Sequence, residues 1–199
     1  YISFPSLVYV GERLYCCARE ATTHTVTVSG QVTVRYSDDL GFTWSEATGL
    51  AVTDASWDLR DPQFLEQSDG TLWLFYSKTN AGDTVRTVVY RKASAPYTSW
   101  GAETTLTTPT KANGAGKPVE LASGRILVPC YEIDGSGNTA PFVRWTTDNG
   151  STWTTDYLTT DGNAPGTYGA YNEFSVAEDP TTAGNLVAII RRNGFSNLY

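Results

Sequence analysis

Eight side chains able to bind or transform a small polar ligand recur near the ends of apolar, strand-like runs: Arg19, Arg60, Asp61, Lys117, Tyr131, Tyr171, Glu173 and Arg191. Arg19, Arg60 and Arg191 offer planar, two-pronged donors that match a carboxylate. Asp61 and Glu173 are the two carboxyl groups that acid–base chemistry at a glycosidic bond calls for. Lys117 adds a point positive charge, and Tyr131 and Tyr171 offer aromatic faces suited to sugar rings. Other chemistries are bounded by scarcity. The only histidine, His24, would have to carry alone any imidazole-based metal site or Ser-His-Asp arrangement. The three cysteines, Cys16, Cys17 and Cys130, cannot all pair with one another. Cys16 and Cys17 are adjacent and so point to opposite faces of a strand, which reads them as small apolar residues. No metal and no cofactor is expected.

A repeat positions these residues. A first apolar strand, a turn and a second apolar strand occur at Pro5-Ser-Leu-Val-Tyr-Val and Leu14-Tyr-Cys-Cys-Ala, then at Pro62-Gln-Phe-Leu-Glu and Leu72-Trp-Leu-Phe-Tyr. They recur at Pro118-Val-Glu-Leu and Ile126-Leu-Val-Pro-Cys, and at Phe174-Ser-Val-Ala and Leu186-Val-Ala-Ile-Ile. The first strands begin at 5, 62, 118 and 174, a spacing of 57, 56 and 56 residues. Third strands follow at Gln31-Val-Thr-Val-Arg-Tyr, Arg86-Thr-Val-Val-Tyr-Arg and Pro141-Phe-Val-Arg-Trp-Thr, alternating as half-buried strands do. Short fourth strands are expected near residues 49–53, 103–107 and 156–159. Four antiparallel strands at this period predict the blades of a β-propeller, with boundaries near 1–57, 58–113, 114–169 and 170–199.

In such a blade the second strand ends beside the start of the first. Ser3, Arg60 with Asp61, Lys117 and Glu173 start first strands, and Arg19, Ser77, Tyr131 and Arg191 end second strands. Together with loops 20–30, 79–84 and 132–139, and with Tyr168, they should converge on one mouth. The competing expectation is an internal ion-pair network joining Asp61 to Arg60 or Lys117.

The turn after the third strand carries the sharpest motif. It reads Ser37-Asp38-Asp39-Leu40-Gly41-Phe42-Thr43-Trp44 and returns as Thr146-Thr147-Asp148-Asn149-Gly150-Ser151-Thr152-Trp153. Asp39 and Asp148 can accept backbone N–H bonds inside the turn, and Gly41 and Gly150 allow a positive φ. Trp44 and Trp153 should fold back and be largely buried. A shortened version, Ser94-Ala-Pro-Tyr97-Thr-Ser-Trp100, lacks the Asp.

These turns resemble the Asp-box of the sialidase superfamily, and the resemblance covers essentially the whole chain. Ile2-Ser3-Phe4-Pro5 is similar to the family's Phe-Arg-Ile-Pro segment, and Asn172-Glu173-Phe174 with Arg191 resembles its Glu-then-Arg stretch. The resemblance implies an all-β, six-bladed, sialidase-like propeller whose Asp-box turns are structural and face away from the active-site mouth. It implies that Glu173 partners a nucleophilic Tyr and that Arg191 binds a carboxylate. The family's first Arg falls on Ser3, and its acid/base Asp falls in loop 20–30, which contains Glu20 and His24 but no Asp. Its nucleophilic Tyr and last Arg belong to later blades. Arg60-Asp61-Pro62 also resembles the exo-arabinanase-type propellers.

Six blades at this spacing need about 336 residues, against 199 here. The expectation is therefore about three and a half blades, completed by another polypeptide or by self-association. The formal net charge of −7 argues against nucleic acid or an anionic membrane as partner. The longest aliphatic run, 186–190, is too short to span a bilayer. The leading expectation is a secreted, glycoside-hydrolase-like propeller acting on a terminal, acidic or neutral sugar. The alternatives are a non-catalytic carbohydrate-binding propeller, such as an adhesin or viral receptor-binding part, and a structural scaffold.

Overall fold

The computed structural model describes residues 1–46, 48–107, 111–158, 164, 166–182 and 184–192. The described residues form strands, turns and loops without a helix, so none could cross a membrane as one. All strand pairs in the sheets are antiparallel. The chain divides into two units, Tyr1–Thr110 and Lys111–Tyr199.

The first unit holds two sheets. One orders β1 (Ile2–Val10), β2 (Arg13–Glu20) and β3 (Gln31–Ser37). The other orders β4 (Trp57–Glu66), β5 (Leu72–Asn80), β6 (Arg86–Ala93) and β7 (Thr104–Thr105). Alternating apolar residues give each sheet a buried face, and Val8, Cys17, Val34, Leu59, Phe64 and Leu74 join one core. The two sheets are also stitched by polar bonds, because the buried Phe64 N–H donates to Ser6 Oγ at 3.1 Å. The fourth strand expected at 49–53 reduces to a single bridge between Val32 and Val52. Leu50 interrupts the ladder. Its side chain is buried in the core, and its carbonyl accepts the Trp100 indole N–H at 2.7 Å.

In the second unit β8 (Ala112–Gly114) and β9 (Val119–Glu120) both pair with β10 (Ile126–Ile133), which pairs with β11 (Thr139–Thr146) and through it with β12 (Thr154–Tyr157). Thr159, at the end of the expected fourth strand, lies outside the described residues. A two-stranded sheet follows, β13 (Tyr171–Glu178) with β14 (Leu186–Arg192). Phe174 and Val176 of β13 are buried with Leu127, Tyr131 and Val143, while Leu186, Val187 and Ile189 of β14 are exposed.

The expected single inner strand at 118–121 is instead split. After Ala115, whose N–H still bonds the Pro129 carbonyl of β10 at 2.9 Å, residues 116–118 leave the ladder, and the Phe174 N–H of β13 donates to the Ala115 carbonyl at 3.2 Å. Gly116 comes so close that a Cβ would lie 2.1 Å from the Phe174 carbonyl oxygen, a space only glycine leaves open. Lys117 is exposed in this link rather than at a strand start.

Both Asp-box turns close by the same bonds. The Thr43 N–H and hydroxyl donate to the two Asp39 carboxylate oxygens at 2.8 and 2.6 Å, and Ser37 Oγ bridges Asp39 and the Gly41 N–H. The Thr152 N–H and hydroxyl donate to Asp148 at 2.9 and 2.6 Å, with Thr146 Oγ1 in the Ser37 role. Leu40 and Asn149 take positive φ values of 59° and 57° ahead of Gly41 and Gly150. The tryptophans depart from expectation. Trp44 is exposed and Trp153 half-buried, because carboxylate bonds close the turn without a plug. Trp100 packs against the core because it reaches Leu50 of the neighbouring sheet.

The threonine hydroxyl first, then the threonine N–H and the Ser37 or Thr146 hydroxyl, hold Asp39 and Asp148 down to about 2, from 3.8. Depressed carboxylates stabilise the fold above their unfolded value, and that stability is lost as pH falls through the folded one. The denaturation midpoint should therefore fall between pH 4 and pH 2 by an amount that shrinks in D39N/D148N, as followed by urea melts at each pH. An unchanged pH slope in the double variant would remove this role.

Candidate functional site

In the first unit, β2 ends and β4 begins at one end of the sheets, and Arg19 sits there with no solvent exposure. Its Nε and Nη2 donate to the two oxygens of Asp58, each at 3.0 Å, and its terminal nitrogens also reach the Thr23 and Thr25 carbonyls at 2.8 and 3.3 Å. Asp58, equally buried, accepts the Thr27 N–H as well. Arg19 is therefore corrected from a ligand-binding donor to an internal brace. Burial demands that every donor find an acceptor, and the loop 21–30 and Asp58 supply them. Gly30 makes the approach possible, since a Cβ there would lie 1.7 Å from Asp58 Oδ1.

Arg60 lies two residues from Asp58, on the same face of β4. It donates to Asp58 Oδ2 and to the His24 carbonyl, each at 3.1 Å, and its guanidinium stands 5.6 Å from the Phe4 ring. Arg60 thus shares Asp58 with Arg19. Sequence reasoning passed over Asp58; the available signal was its alternation with Arg60 along one strand. Asp61 itself is half-buried with a φ of 50°.

That φ marks a β-bulge. Arg60 pairs with Ser77 and Gln63 with Phe75, so Asp61 and Pro62 oppose the single residue Tyr76. The same irregularity occurs in β1, where Phe4 and Pro5 lie between the Ser3–Arg19 and Ser6–Cys17 pairs. It occurs again in β13, where Asn172 and Glu173 lie between the Tyr171–Arg192 and Phe174–Ile190 pairs. The bulge places Arg192, not Arg191, at the register position of Arg19 and Ser77. A one-residue slip turns a side chain to the opposite face of the sheet. Arg191 instead stands opposite the bulge and bonds Glu173, Nη1 to Oε2, at 2.7 Å, with both side chains about half exposed.

The other predicted residues of the second unit are mostly covered. Tyr131 is buried and pairs with Asn113, whose side-chain amide donates to its hydroxyl at 2.8 Å. Tyr171 is buried under the Arg192 guanidinium, 5.4 Å from its ring centre. Neither presents an open face to a sugar, a correction that follows from their inward place in the strand alternation. Lys117 lies in the exposed link already described. One part of the expected mouth set does come together, Tyr168 with loop 132–139, at Glu132 near the end of β10. Its carboxylate accepts the hydroxyl of the exposed Tyr168 at 2.5 Å and that of Tyr157. Burial, then the bond to Glu132, pushes the Tyr157 hydroxyl up to about 12 and raises that of Tyr168 further. No group of three His, Cys, Asp or Glu that could hold a metal is found among the described residues.

Antiparallel sheets repeated along the chain, two closed Asp-box turns and bulged first strands define a β-propeller of the sialidase-like class. The chain belongs to the BNR repeat-like domain family, which matches residues 12–199. Among solved structures it is similar to the Hadza microbial sialidase Hz136, with a TM-score of 0.76 and 15% identity over 96% of this chain and 42% of that one. A protein of unknown function from Dyadobacter fermentans matches with a TM-score of 0.79 and 21% identity, over 98% of this chain and 63% of that one. Trypanosoma rangeli sialidase in complex with sialic acid matches with a TM-score of 0.72 and 17% identity, over 97% and 34%. The chain therefore spans less than two thirds of the length of these structures, and at these identities the likeness is one of fold. No curated protein matches the chain.

Replacing Arg19 by Met strands the buried Asp58 carboxylate and should cost about 3–5 kcal/mol, as breaking one side of a buried pair does. G30A should be at least as damaging, because its methyl group would occupy the place of Asp58 Oδ1. Chemical denaturation of both variants is the check, and wild-type midpoints would refute the brace.

Proposed function

We propose that the chain carries part of a glycoside-hydrolase-like site for a terminal sugar of a glycan, built on the Glu173–Arg191 pair. The observation that supports this reading is the pair's setting. Glu173 sits in a bulge, a feature that re-aims side chains, and it and Arg191 remain half exposed, whereas Arg19 of the first unit is sealed. Arg191 bonds Glu173 through Nη1, and a guanidinium is the donor whose planar fork matches a sugar carboxylate. Glu173 then serves as the base toward the attacking group. In hydrolysis the anomeric carbon–oxygen bond breaks, the departing oxygen gains a proton, and the hydroxyl of water ends on the anomeric carbon. Asp61 and Arg60 stay candidates within their own unit, as a carboxylate in a matching bulge and a partly covered donor. The fold-level likeness to sialidases supports the class of chemistry, and the named sialic acid complex suggests an acidic sugar.

A second reading is favoured by one observation: Arg19 and Arg60 share Asp58, and Arg191 is paired with Glu173, as a scaffold whose charges neutralise one another would require. Turnover of fluorogenic sialosides and arabinosides separates the two. Hydrolysis that falls at least about a hundredfold in E173Q, the scale of a lost general base, with sialoside binding weakened in R191A, supports the enzyme reading. No turnover and no binding by wild-type protein supports the scaffold.

The exposed Val187 and Ile189, two residues apart on β14, leave an apolar strand face in solvent. The 199-residue chain should self-associate through it. Light scattering of the wild type against V187K/I189K is the check; a monodisperse monomer in both would exclude it.

A further inference from the structure

At the other end of the first unit's strands lies a cleft of about 440 Å³, within the size range of small-molecule sites. Its walls include Glu12 of the β1–β2 hairpin, Arg13 and Tyr15 of β2, Asp38 of the first Asp-box turn, and Tyr97 of the loop after β6. Arg13 and Arg19 are six residues apart on an extended strand, roughly 20 Å. The cleft is thus separate from the Arg19–Asp58 brace. A smaller hollow of about 170 Å³, lined in part by the same Arg13, Tyr15 and Tyr97, reaches Tyr36.

Tyr97 stands where the two complete turns carry Leu40 and Asn149, and it keeps their left-handed backbone, with a φ of 56°. This turn has lost the Asp-box carboxylate and gained an aromatic ring. The ring is held from several sides. Its hydroxyl donates to the Gly70 carbonyl at 2.8 Å, it makes a T-shaped contact with Tyr15 with centroids 6.1 Å apart, and it lies against Gly11. A Cβ at residue 11 would come within 2.9 Å of the ring, and Gly11 has a φ of 58°. Across the cleft, Arg13 stacks on Tyr36 at 4.2 Å and donates through Nε to Asp38 at 2.7 Å. The Arg13 and Asp38 side chains nevertheless remain 42% and 60% exposed.

We propose that this cleft binds a neutral saccharide. A rigid aromatic ring suits the C–H face of a sugar, and a stacked, half-exposed Arg–Asp pair offers donors and acceptors side by side, as vicinal hydroxyls require. The charge balance selects against an acidic sugar. Asp38 already neutralises Arg13, and Glu12 adds a further negative charge, so a ligand carboxylate meets net repulsion. The specificity is therefore opposite to that proposed around Arg191, and the two sites stand or fall separately.

The test is saturation-transfer NMR and calorimetry on the 199-residue chain with methyl β-galactoside, methyl β-glucoside and lactose, and with N-acetylneuraminic acid as the acidic probe. A neutral glycoside should bind, with affinity about tenfold weaker in R13A, the cost of one anchoring polar group, and unchanged in R191A. Y97A should abolish the signal, and matching circular dichroism of R13A and wild type keeps the reading independent of whether Y97A folds. Absence of binding by all three neutral sugars would overturn the proposal. So would binding that R13A leaves intact or R191A removes, or a preference for N-acetylneuraminic acid that R13A weakens.

Discussion

The first unit depends on a charge pair that water never reaches. Arg19 from β2 and Asp58 from β4 meet through two parallel bonds, so the pair joins neighbouring sheets rather than strands of one sheet. The remaining guanidinium donors bind the Thr23 and Thr25 carbonyls, and Asp58 also binds the Thr27 N–H. A loop without regular hydrogen bonding is thereby held, and Arg60 is anchored through the same carboxylate. Such a pair contributes little net stability beside a well-packed apolar replacement, but it makes any arrangement that parts its members costly. Its effect is to specify which strand faces which.

The bulges act on a smaller scale. Each gives the start of a first strand two residues against one on its partner, at Phe4–Pro5, Asp61–Pro62 and Asn172–Glu173. Where β8 and β9 are split, the departure from the ladder is longer and the backbone bonds of Ala115 go to Phe174 and Pro129. A regular ladder would alternate these side chains strictly between the two faces. The extra residue releases each bulge from that alternation, and a carboxylate lies in two of them at different places, Asp61 as the first residue in β4 and Glu173 as the second in β13. The repeat thus keeps a common device at one strand end while its side chains vary. The Asp-box turns at the other end keep their side chains and, in the loop after β6, exchange them for a tyrosine.

Local chemistry was readable without coordinates. The third-strand alternation and the two Asp-box turns rest on residues a few positions apart, where chain connectivity sets the geometry. The bonding of Asp39 to Thr43 and of Asp148 to Thr152 follows from residue types four apart. That Asp61 and Glu173 precede apolar runs was legible in the same way, but β4 begins at Trp57, so Asp61 lies in a mid-strand bulge and not at the strand start. What the tertiary structure alone decided was partnership. Arg19 finds Asp58 at a separation of 39 residues, and no pattern in either neighbourhood marks that contact. Arg191 and Arg192 are indistinguishable in sequence, and only the bulge opposite them determines which one turns toward Glu173. Trp44 is exposed, whereas Trp100 reaches the Leu50 carbonyl of the neighbouring sheet. In each case the sequence determined which groups were available, and the packing of one sheet on the next determined which of them could meet.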